Sequence, residues 1–323
     1  MKAVQVAKTG GTEELQLKEV ATLIPDQGQI VVQVKAAGVN PVDTYIRAGH
    51  YPLSLDFPYT PGFDGAGIIK LIAPDLHGKI NLNIGDRVYI ARSLSGTYAE
   101  EALCLPSQLY PLPDHITFAQ GAAINIPYMT AYRALFHKAN ALPGEWVLIH
   151  GASGGVGIAC LQFARSRGFK TIGTASSIEG QQLVKEMGAH FVLDHSQDGY
   201  LEEISNITQK RGVDVIVEML ANKNLQNDLA LLAPKGRIVV VGSRGPIEIN
   251  PRLLMAQESS ILGLLNIHVL EEEAFRIHTA IVSGLQNRIL NPVIARELPL
   301  SKAAEAHTTI MESKAHGKIV LIP

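Results

Sequence analysis

The sequence predicts an α/β protein with a doubly wound parallel sheet and a second, mostly β unit. Six strand-like segments alternate with helical stretches from Trp146 onward, which is the order of a parallel sheet with crossover helices. A glycine-rich turn joins the first of these strands to the first helix. Before about residue 117, short Val-rich strands are separated by Gly and Pro, which predicts the β unit. A chain of 323 residues is long enough for both domains.

The N-terminal β unit is predicted from three short segments, QIVVQVKAAGV, AGIIKLI and DRVYIA. The part of the chain after Asn266 contains two helical stretches, EEEAFRIHTAIVSGLQ and KAAEAHTTIMES, and two further segments, PVIARELPL and GKIVLIP. Because this tail is too short to form a domain, we expect it to complete the N-terminal unit.

The six segments predicted for the parallel sheet are, in chain order, WVLIH, KTIGTA, HFVLD, VDVIVEM, RIVVVGS and SSILGLL. Gly168, Gly188 and Gly212 occur where the C-caps of the intervening helices are expected. The last segment is apolar throughout and falls at the end of the sheet order. Since an exposed strand edge invites association, we expect a homodimer or homotetramer.

Composition and charge exclude several classes of function. Hydrophobic residues make up 46% and charged residues 18%, and the net charge of -2 gives no overall attraction to nucleic acid or an anionic membrane. No apolar run approaches the ~20 residues that span a bilayer, and the N-terminus lacks the features of a secretory signal. The only cysteines, Cys104 and Cys160, cannot form a disulfide framework or a multi-cysteine zinc site. We expect a cytoplasmic protein that binds neither membrane nor nucleic acid.

The glycine-rich turn fits two chemistries. Gly151 to Gly155 matches G-x-S-x-G, the turn that presents a nucleophilic serine in many hydrolases, whereas Gly151, Gly154 and Gly157 fit a loop that holds a dinucleotide pyrophosphate. The loop follows the first strand of the alternating run, and Gly157 has no role in a hydrolase elbow. In a nucleotide loop, Gly157 lets the helix pack closely against the strand. Nucleotide binding is therefore the favoured interpretation.

The end of the second strand indicates which dinucleotide is bound. NAD-selective folds place an acidic residue about 20 residues after the loop, where it accepts hydrogen bonds from the ribose 2'-hydroxyl. Here Ala175, Ser176 and Ser177 occupy that turn, which removes the repulsion of a 2'-phosphate and offers hydroxyl donors. The sequence therefore favours NADPH, although Gln181 and Gln182 follow in place of a basic residue.

Several segments along nearly the whole chain carry a family resemblance, among them GVNPVDTYIRAGHYP, FPYTPGFDGAG, HGASGGVG, EMLAN and VVGSRGPIEINPR. On these segments the sequence resembles the zeta-crystallin-type NADPH:quinone oxidoreductases, in the zinc-independent branch of the medium-chain dehydrogenase/reductase superfamily. The resemblance implies a Rossmann cofactor-binding domain at 123–266. It also implies a GroES-like catalytic domain made of 1–122 with 267–323.

The resemblance also implies roles for individual residues. The residues expected to line the cofactor site are Tyr51, Thr130, Ser153, Gly154, Gly155, Val156, Ser176, His195, Asn224, Val241, Gly242, Ser243, Arg244, Leu264, Leu265 and Asn266. Asn40, Tyr45 and Tyr51 are expected to shape the pocket that faces the nicotinamide and are the candidate catalytic residues.

No metal is expected at the catalytic site. Zinc-dependent relatives use a cysteine in a GVC loop and a histidine in PGHE, and the matching positions here are Asn40 and Phe63. A carboxamide and a phenyl ring cannot replace thiolate and imidazole around tetrahedral zinc. Without a metal, only hydrogen-bond donors remain to stabilise developing charge, so we expect an electron-poor acceptor.

The resemblance implies that this acceptor is a quinone, reduced by NADPH in one-electron steps. Tyr45 and Tyr51 are candidate donors because a phenol stays protonated at neutral pH. An alternative within the enzymes is an NADPH-dependent reductase of 2-alkenals or enones. An alternative of another class is an NADPH-binding structural or RNA-binding protein, against which the slight acidity of the chain argues. Tyr45 as a core residue and Asn40 as a turn residue stay open at this point.

Overall fold

The computed structural model describes residues 1–312 and 316–323. These residues form two compact units, one made of 1–126 with 271–323 and the other of 127–270. The domain limits expected from the sequence, after residues 122 and 266, lie four residues before the observed boundaries at 126 and 270. Ser313, the last residue of the KAAEAHTTIMES stretch, lies outside the described residues.

The strands of the described residues are, in chain order, β1 (Lys2–Gln5), β2 (Gln16–Glu19), β3 (Ile30–Gly38), β4 (Asp64–Ile72), β5 (Arg87–Ala91), β6 (Glu101–Cys104), β7 (Leu109–Pro111), β8 (Trp146–Ile149), β9 (Lys170–Thr174), β10 (Phe191–Leu193), β11 (Val213–Glu218), β12 (Leu232–Val240), β13 (Ser260–Gly263), β14 (Ile294–Pro299) and β15 (Lys318–Ile322). The α-helices are α1 (Pro41–Arg47), α2 (Phe118–Gly121), α3 (Asn125–Tyr132), α4 (Gly155–Arg167), α5 (Ile178–Glu186), α6 (Tyr200–Ile207), α7 (Ala221–Leu231), α8 (Pro251–Gln257), α9 (Glu271–Gln286) and α10 (Ala303–Met311). A π-helical turn, Arg133–Lys138, follows α3.

The unit made of 1–126 and 271–323 is mostly β. Its larger sheet has the order β14-β15-β3-β4-β5-β7, and β6 also pairs with β3. Strand β3 is buried along most of its length, and Ile30, Val32 and Val34 contribute to one apolar core. Strand β15 pairs antiparallel with β3, so that Leu321 lies opposite Ala37. The C-terminal strand β15 therefore belongs to the same sheet as β3 from the N-terminal segment.

The unit made of 127–270 contains a six-stranded parallel sheet in the order β10-β9-β8-β11-β12-β13. The predicted doubly wound sheet is confirmed. Five of the six predicted segments contain their whole strand, whereas β12 begins at Leu232, five residues before the segment RIVVVGS. Residues Leu148, Ile172, Ile216 and Ile238 come from successive strands and share one buried cluster. Strands β8 and β11 are neighbours although β9 and β10 lie between them in the chain. Ligands bind at the carboxyl ends of strands at such a switch in an open parallel sheet.

The predicted helix C-cap is correct at Gly168, lies one residue beyond the observed C-cap, Met187, at Gly188, and is wrong at Gly212. Gly168 is the left-handed C-cap of α4, with φ of 69°, and Gly188, with φ of 101°, follows the last residues of α5. The prediction for Gly212 is wrong, because α6 is capped at Thr208. A Cβ at Gly212 would lie 2.6 Å from the backbone nitrogen of Ala233, so this glycine permits a close approach of two backbone segments instead. Among the described residues, no helix combines the length and apolar character required to cross a bilayer.

Candidate cofactor site and polar pocket

The glycine-rich turn lies between β8 and α4, at the carboxyl end of a central strand. Gly151 adopts φ of 57°, in the left-handed region that favours glycine. Gly154 is the N-cap of α4, and no side chain there accepts a hydrogen bond from the first turn of the helix. Helix α4 is 13 residues long, so its aligned peptide dipoles and first N–H groups favour an anion at this end. The predicted residues Ser153, Gly154, Gly155 and Val156 all lie at this end.

Gly157 brings the start of α4 against the turn. A Cβ at Gly157 would lie 2.5 Å from the Ala152 Cα and 2.7 Å from the carbonyl oxygens of Gly151 and Ala152. All three neighbours are backbone atoms, which cannot rotate away. The turn and helix therefore form a cradle with the shape and the dipole that a dinucleotide pyrophosphate requires.

The turn after β9 contains two serines, Ser176 and Ser177, and the second of them caps a helix. The Ser177 Oγ accepts a hydrogen bond from the Gly180 N–H at 3.0 Å and caps α5, whereas the Ser176 side chain is exposed. Gln182 is directed along the helix, because its Nε2 donates to Glu186 at 2.9 Å. The predicted 2'-phosphate contact at Ser176 thus lies at the carboxyl end of β9.

The other residues predicted to line the cofactor site follow β10, β11 and β12, at the same edge of the sheet. His195 follows β10 and is exposed, and desolvation followed by the charge of nearby His150 lowers its pKa. The Asn224 Nδ2 donates to both carboxylate oxygens of Glu218, at 3.2 Å each. Val241 and Gly242 donate their N–H groups to the Glu218 carbonyl oxygen at 2.8 and 3.3 Å. Ser243 and Arg244 follow directly and are exposed.

Thr130 and Asn266 are brought together by hydrogen bonds that the sequence does not indicate. The Asn266 Nδ2 donates to the Thr130 Oγ1 at 2.7 Å. The buried Arg133 guanidinium donates from Nη1 to the Asn266 Oδ1 at 3.1 Å and to the Leu265 carbonyl oxygen at 3.2 Å. Arg133 therefore positions the segment after β13, which includes the predicted residues Leu264 and Leu265.

Asn40 belongs to a buried polar network of the β unit. Its Nδ2 donates to the Asp64 Oδ2 at 2.9 Å, and the Lys318 Nζ donates to the Asn40 Oδ1 at 2.5 Å and to the Asp64 Oδ2 at 2.7 Å. The other Asp64 oxygen accepts from the Asn125 Nδ2 and the Ile126 N–H, at 3.0 Å each. An ammonium group, a carboxylate and a carboxamide are thus combined in a site that is nearly closed to solvent.

The donors of this network do not form a zinc site. The Asn40 carboxamide and the Asp64 carboxylate are both engaged by the Lys318 ammonium, and Phe63 supplies no ligand atom. Tetrahedral zinc requires thiolate, imidazole or free carboxylate groups, and an adjacent buried cation opposes a second one.

Tyr45 and Tyr51 lie in the same unit and are both half-buried. Tyr45 lies on α1 and is half-buried, and its hydroxyl makes no hydrogen bond to the part of the chain that the structure describes. Tyr51 follows α1, and desolvation raises its pKa although the charge of Arg92 acts in the other direction. The Tyr51 phenol therefore remains a protonated donor at neutral pH.

A cavity of about 600 Å³ in the β unit contains a further carboxyl group. Asp43, Tyr59 and Ser93 line it, and each has a buried oxygen without a hydrogen-bond partner within 1–312 and 316–323. The Asp43 Oδ2 accepts from the Asn40 N–H at 2.8 Å and the Tyr98 hydroxyl at 3.1 Å. Burial raises the pKa of Asp43 to about 7, against the opposing effect of the Asn40 N–H.

Sequence reasoning missed the buried charged residues that hold these sites in place, which are Asp43, Asp64, Arg133, His150, Glu218, Asp228 and Lys318. One signal was available: a charged or polar residue directly at the end of an apolar strand, as in WVLIH and VDVIVE. Such residues lie at the edge of a parallel sheet where ligands bind.

A parallel nucleotide-binding sheet with an uncapped helix at its glycine turn, and a GroES-like β unit completed by the C-terminus, define a medium-chain dehydrogenase/reductase. Family models agree: residues 155–279 match the model described as zinc-binding dehydrogenase, and residues 26–114 match the alcohol dehydrogenase GroES-like domain. The chain is therefore an oxidoreductase by its class.

Individual relatives define the family more narrowly. The human quinone oxidoreductase is 48% identical over 324 residues, which cover 100% of this chain and 98% of the relative. Escherichia coli quinone oxidoreductase, solved in complex with NADPH, superposes with a TM-score of 0.89 at 27% identity and full coverage of both chains. A mycobacterial protein complexed with NADPH gives a TM-score of 0.91, also at 27% identity and full coverage of both chains. The chain belongs to the zeta-crystallin-type quinone oxidoreductase family.

Proposed function

We propose that this protein is an NADPH-dependent quinone oxidoreductase. The observation that carries the proposal is the backbone cradle formed by Gly151, Ala152 and Gly157 at the N-terminus of α4, which suits a pyrophosphate. Two structural relatives hold NADPH, and full-length relatives are quinone oxidoreductases, which supports both the cofactor and the acceptor.

The chain's own residues have the following roles in this proposal. Backbone N–H groups from Ser153 to Val156 bind the pyrophosphate, and the Ser176 hydroxyl donates to the 2'-phosphate. Thr130, held by Asn266, lies beside the nicotinamide. NADPH supplies the reducing electrons when it is bound. Because no basic residue follows Ser176 in its turn, we expect a modest preference over NADH.

We also propose that reduction proceeds without zinc. Lys318 and Asp64 already satisfy Asn40, and the Phe63 side chain has no ligand atom, so these two positions provide no ligands for zinc. Without a Lewis acid, the hydroxyls of Tyr45 and Tyr51 are the groups that donate to the acceptor oxygen. Two neutral donors suit a quinone, which needs less charge stabilisation than a simple ketone. We expect the electrons to be transferred singly.

Steady-state oxidation of NADPH tests the proposal. A naphthoquinone and a 2-alkenal are compared as acceptors, in air and under nitrogen. We expect faster turnover with the quinone, and oxygen consumption in air because a singly reduced quinone passes its electron to oxygen. A clear preference for the 2-alkenal would favour an enone reductase, and no turnover with either acceptor would contradict the proposal.

The sheet edge at β13 supports an oligomer. This strand ends the sheet, and Ile261 and Leu262 on it are half-buried and apolar. We propose that a second copy of the chain pairs here, because an unpaired apolar edge invites strand addition. Light scattering at micromolar concentration tests this, and a monomer would contradict it.

A further inference from the structure

His150, Glu218 and Asp228 form a buried cluster beneath the cofactor edge of the parallel sheet. His150 ends the segment WVLIH, Glu218 is the last residue of β11, and Asp228 lies on α7. The His150 Nε2 lies 2.8 Å from the Asp228 Oδ1 and 3.4 Å from the Glu218 Oε2. The two carboxyl side chains are fully buried, and the imidazole is 5% exposed.

The cluster holds more acceptor oxygens than its histidine can satisfy. The Asp228 Oδ2 is buried and accepts no hydrogen bond from the residues that the structure describes. The Glu218 and Asp228 carboxyl groups both lie against the same imidazole nitrogen, so their burial and like charges favour a proton on the pair. The protonation states of the three side chains are therefore coupled.

The same carboxyl group fixes the loops that are expected to bind NADPH. The Glu218 Oε1 accepts a short hydrogen bond from the Leu220 N–H, and both Glu218 oxygens accept from Asn224. The Glu218 carbonyl oxygen accepts from Val241 and Gly242. His150 directly precedes the glycine turn. The Glu218 carboxyl group thus contacts residues that follow β8 and β11, and the backbone carbonyl of the same residue holds the segment after β12.

Burial and charge make the number of protons bound to this cluster depend on pH near neutrality. Burial raises the pKa of Glu218 to about 7, His150 opposes this effect and Asp228 adds to it. Burial alone would lower the pKa of His150, but its hydrogen bond to Asp228 and the charges of both carboxylates raise it. Two further titratable groups face the cluster. These are His195, after β10, and Tyr200, on α6, whose pKa is raised by burial and then by Asp228 and Glu218.

We propose that His150, Glu218 and Asp228 are positioning residues that hold the cofactor loops through a shared proton, so that NADPH binds more tightly when the cluster is protonated. This inference rests on the proposed cofactor. A polyanionic cofactor favours the more protonated cluster, so binding takes up a proton. By linkage, affinity then falls as pH rises through the neutral range, up to about tenfold for each unit by which the cofactor raises the cluster's pKa.

The test is calorimetry of NADPH binding at pH 6.5, 7.5 and 8.5 with the intact protein, in buffers of different ionisation enthalpy. For the wild type we expect proton uptake at pH 7.5, above the ~6 at which a phosphate monoester titrates. We expect Kd to increase at least threefold more between pH 6.5 and 8.5 in the wild type than in Glu218→Gln. Asp228→Asn removes the neighbouring negative charge and should move the pH profile to lower pH.

Asp214→Asn is the matched control, because Asp214 is a buried carboxyl at the opposite end of β11, paired with Arg211. It should keep the wild-type pH profile. Equal profiles in the wild type and Glu218→Gln would overturn the inference. Absence of proton uptake by the wild type at pH 7.5 would also overturn the inference, and this measurement does not require that any cluster variant folds. Stoichiometric metal that disappears in Glu218→Gln would overturn it too. Absence of NADPH binding at every pH would instead refute the proposed cofactor, and this inference with it.

Discussion

Substitution of Gly157 by alanine tests the cradle in which the pyrophosphate is proposed to bind. The new Cβ would lie 2.5 Å from the Ala152 Cα, whereas ordinary contacts begin at 3.4 Å, a deficit of 0.9 Å. Because the opposing atoms are backbone, α4 or the turn must move by nearly that distance. Overpacking of this kind costs about 1–3 kcal/mol of stability. A displacement near 1 Å at a positioned site costs on the order of 100-fold.

We therefore expect Gly157→Ala to weaken NADPH binding by about 30- to 100-fold, measured by fluorescence titration. We also expect its melting temperature to fall by roughly 3–10 °C. Gly245→Ala is the matched control, since no atom lies within 4 Å of a Cβ there, and both quantities should stay near wild type. A Gly157→Ala protein that binds NADPH within twofold of the wild type would refute the reasoning.

Three further predictions concern the β unit. Lys318→Met should lower the free energy of unfolding in urea by about 3–5 kcal/mol, because it leaves the buried Asp64 carboxylate without its cation. Adding Asp64→Asn should restore much of this loss. Equal instability of the single and double variants would contradict the prediction. Asp43 has a pKa raised from 3.8 to about 7, so its ionised form is disfavoured in the fold and stability should decline as pH rises toward 7. Asp43→Asn should remove up to ~3 kcal/mol of the decline between pH 5 and 8, and parallel stability curves would exclude this cause. Tyr45→Phe and Tyr51→Phe should each lower kcat/KM for a quinone about tenfold, because one neutral hydrogen bond to the acceptor is lost, and should change the melting temperature little. Unchanged kinetics in either variant would show that its tyrosine does not contact the acceptor.

The parallel sheet could be predicted because its evidence is local. Apolar strand segments, helix-spaced residues and a glycine turn each occupy a few neighbouring positions, and the structure confirms all six strands. A prediction of a residue's role fails where the same local sequence signal, such as a glycine after a helix, can have two physical causes. Gly212 looks like a helix cap in the sequence, but in the fold it allows β12 to approach closely.

The pairing of the buried charges could not be predicted, because the partners are distant in the chain. Lys318 and Asn40 are separated by 278 residues, and His150 and Asp228 by 78. Nothing in the local pattern indicates that Lys318, inside the apolar strand KIVLI, has a carboxylate to pair with. Predicted site residues such as Thr130 and Asn266 were placed by family resemblance, and the hydrogen bond between them emerges only from the fold.

A crystal structure of the protein with NADPH and a quinone analogue tests the central claim most directly. The account predicts the pyrophosphate at the backbone of Ser153 to Val156, the 2'-phosphate at Ser176, and the analogue within hydrogen-bonding distance of Tyr45 or Tyr51 with no metal density near Asn40. A pyrophosphate bound elsewhere, or a metal ion beside Asn40, would contradict it.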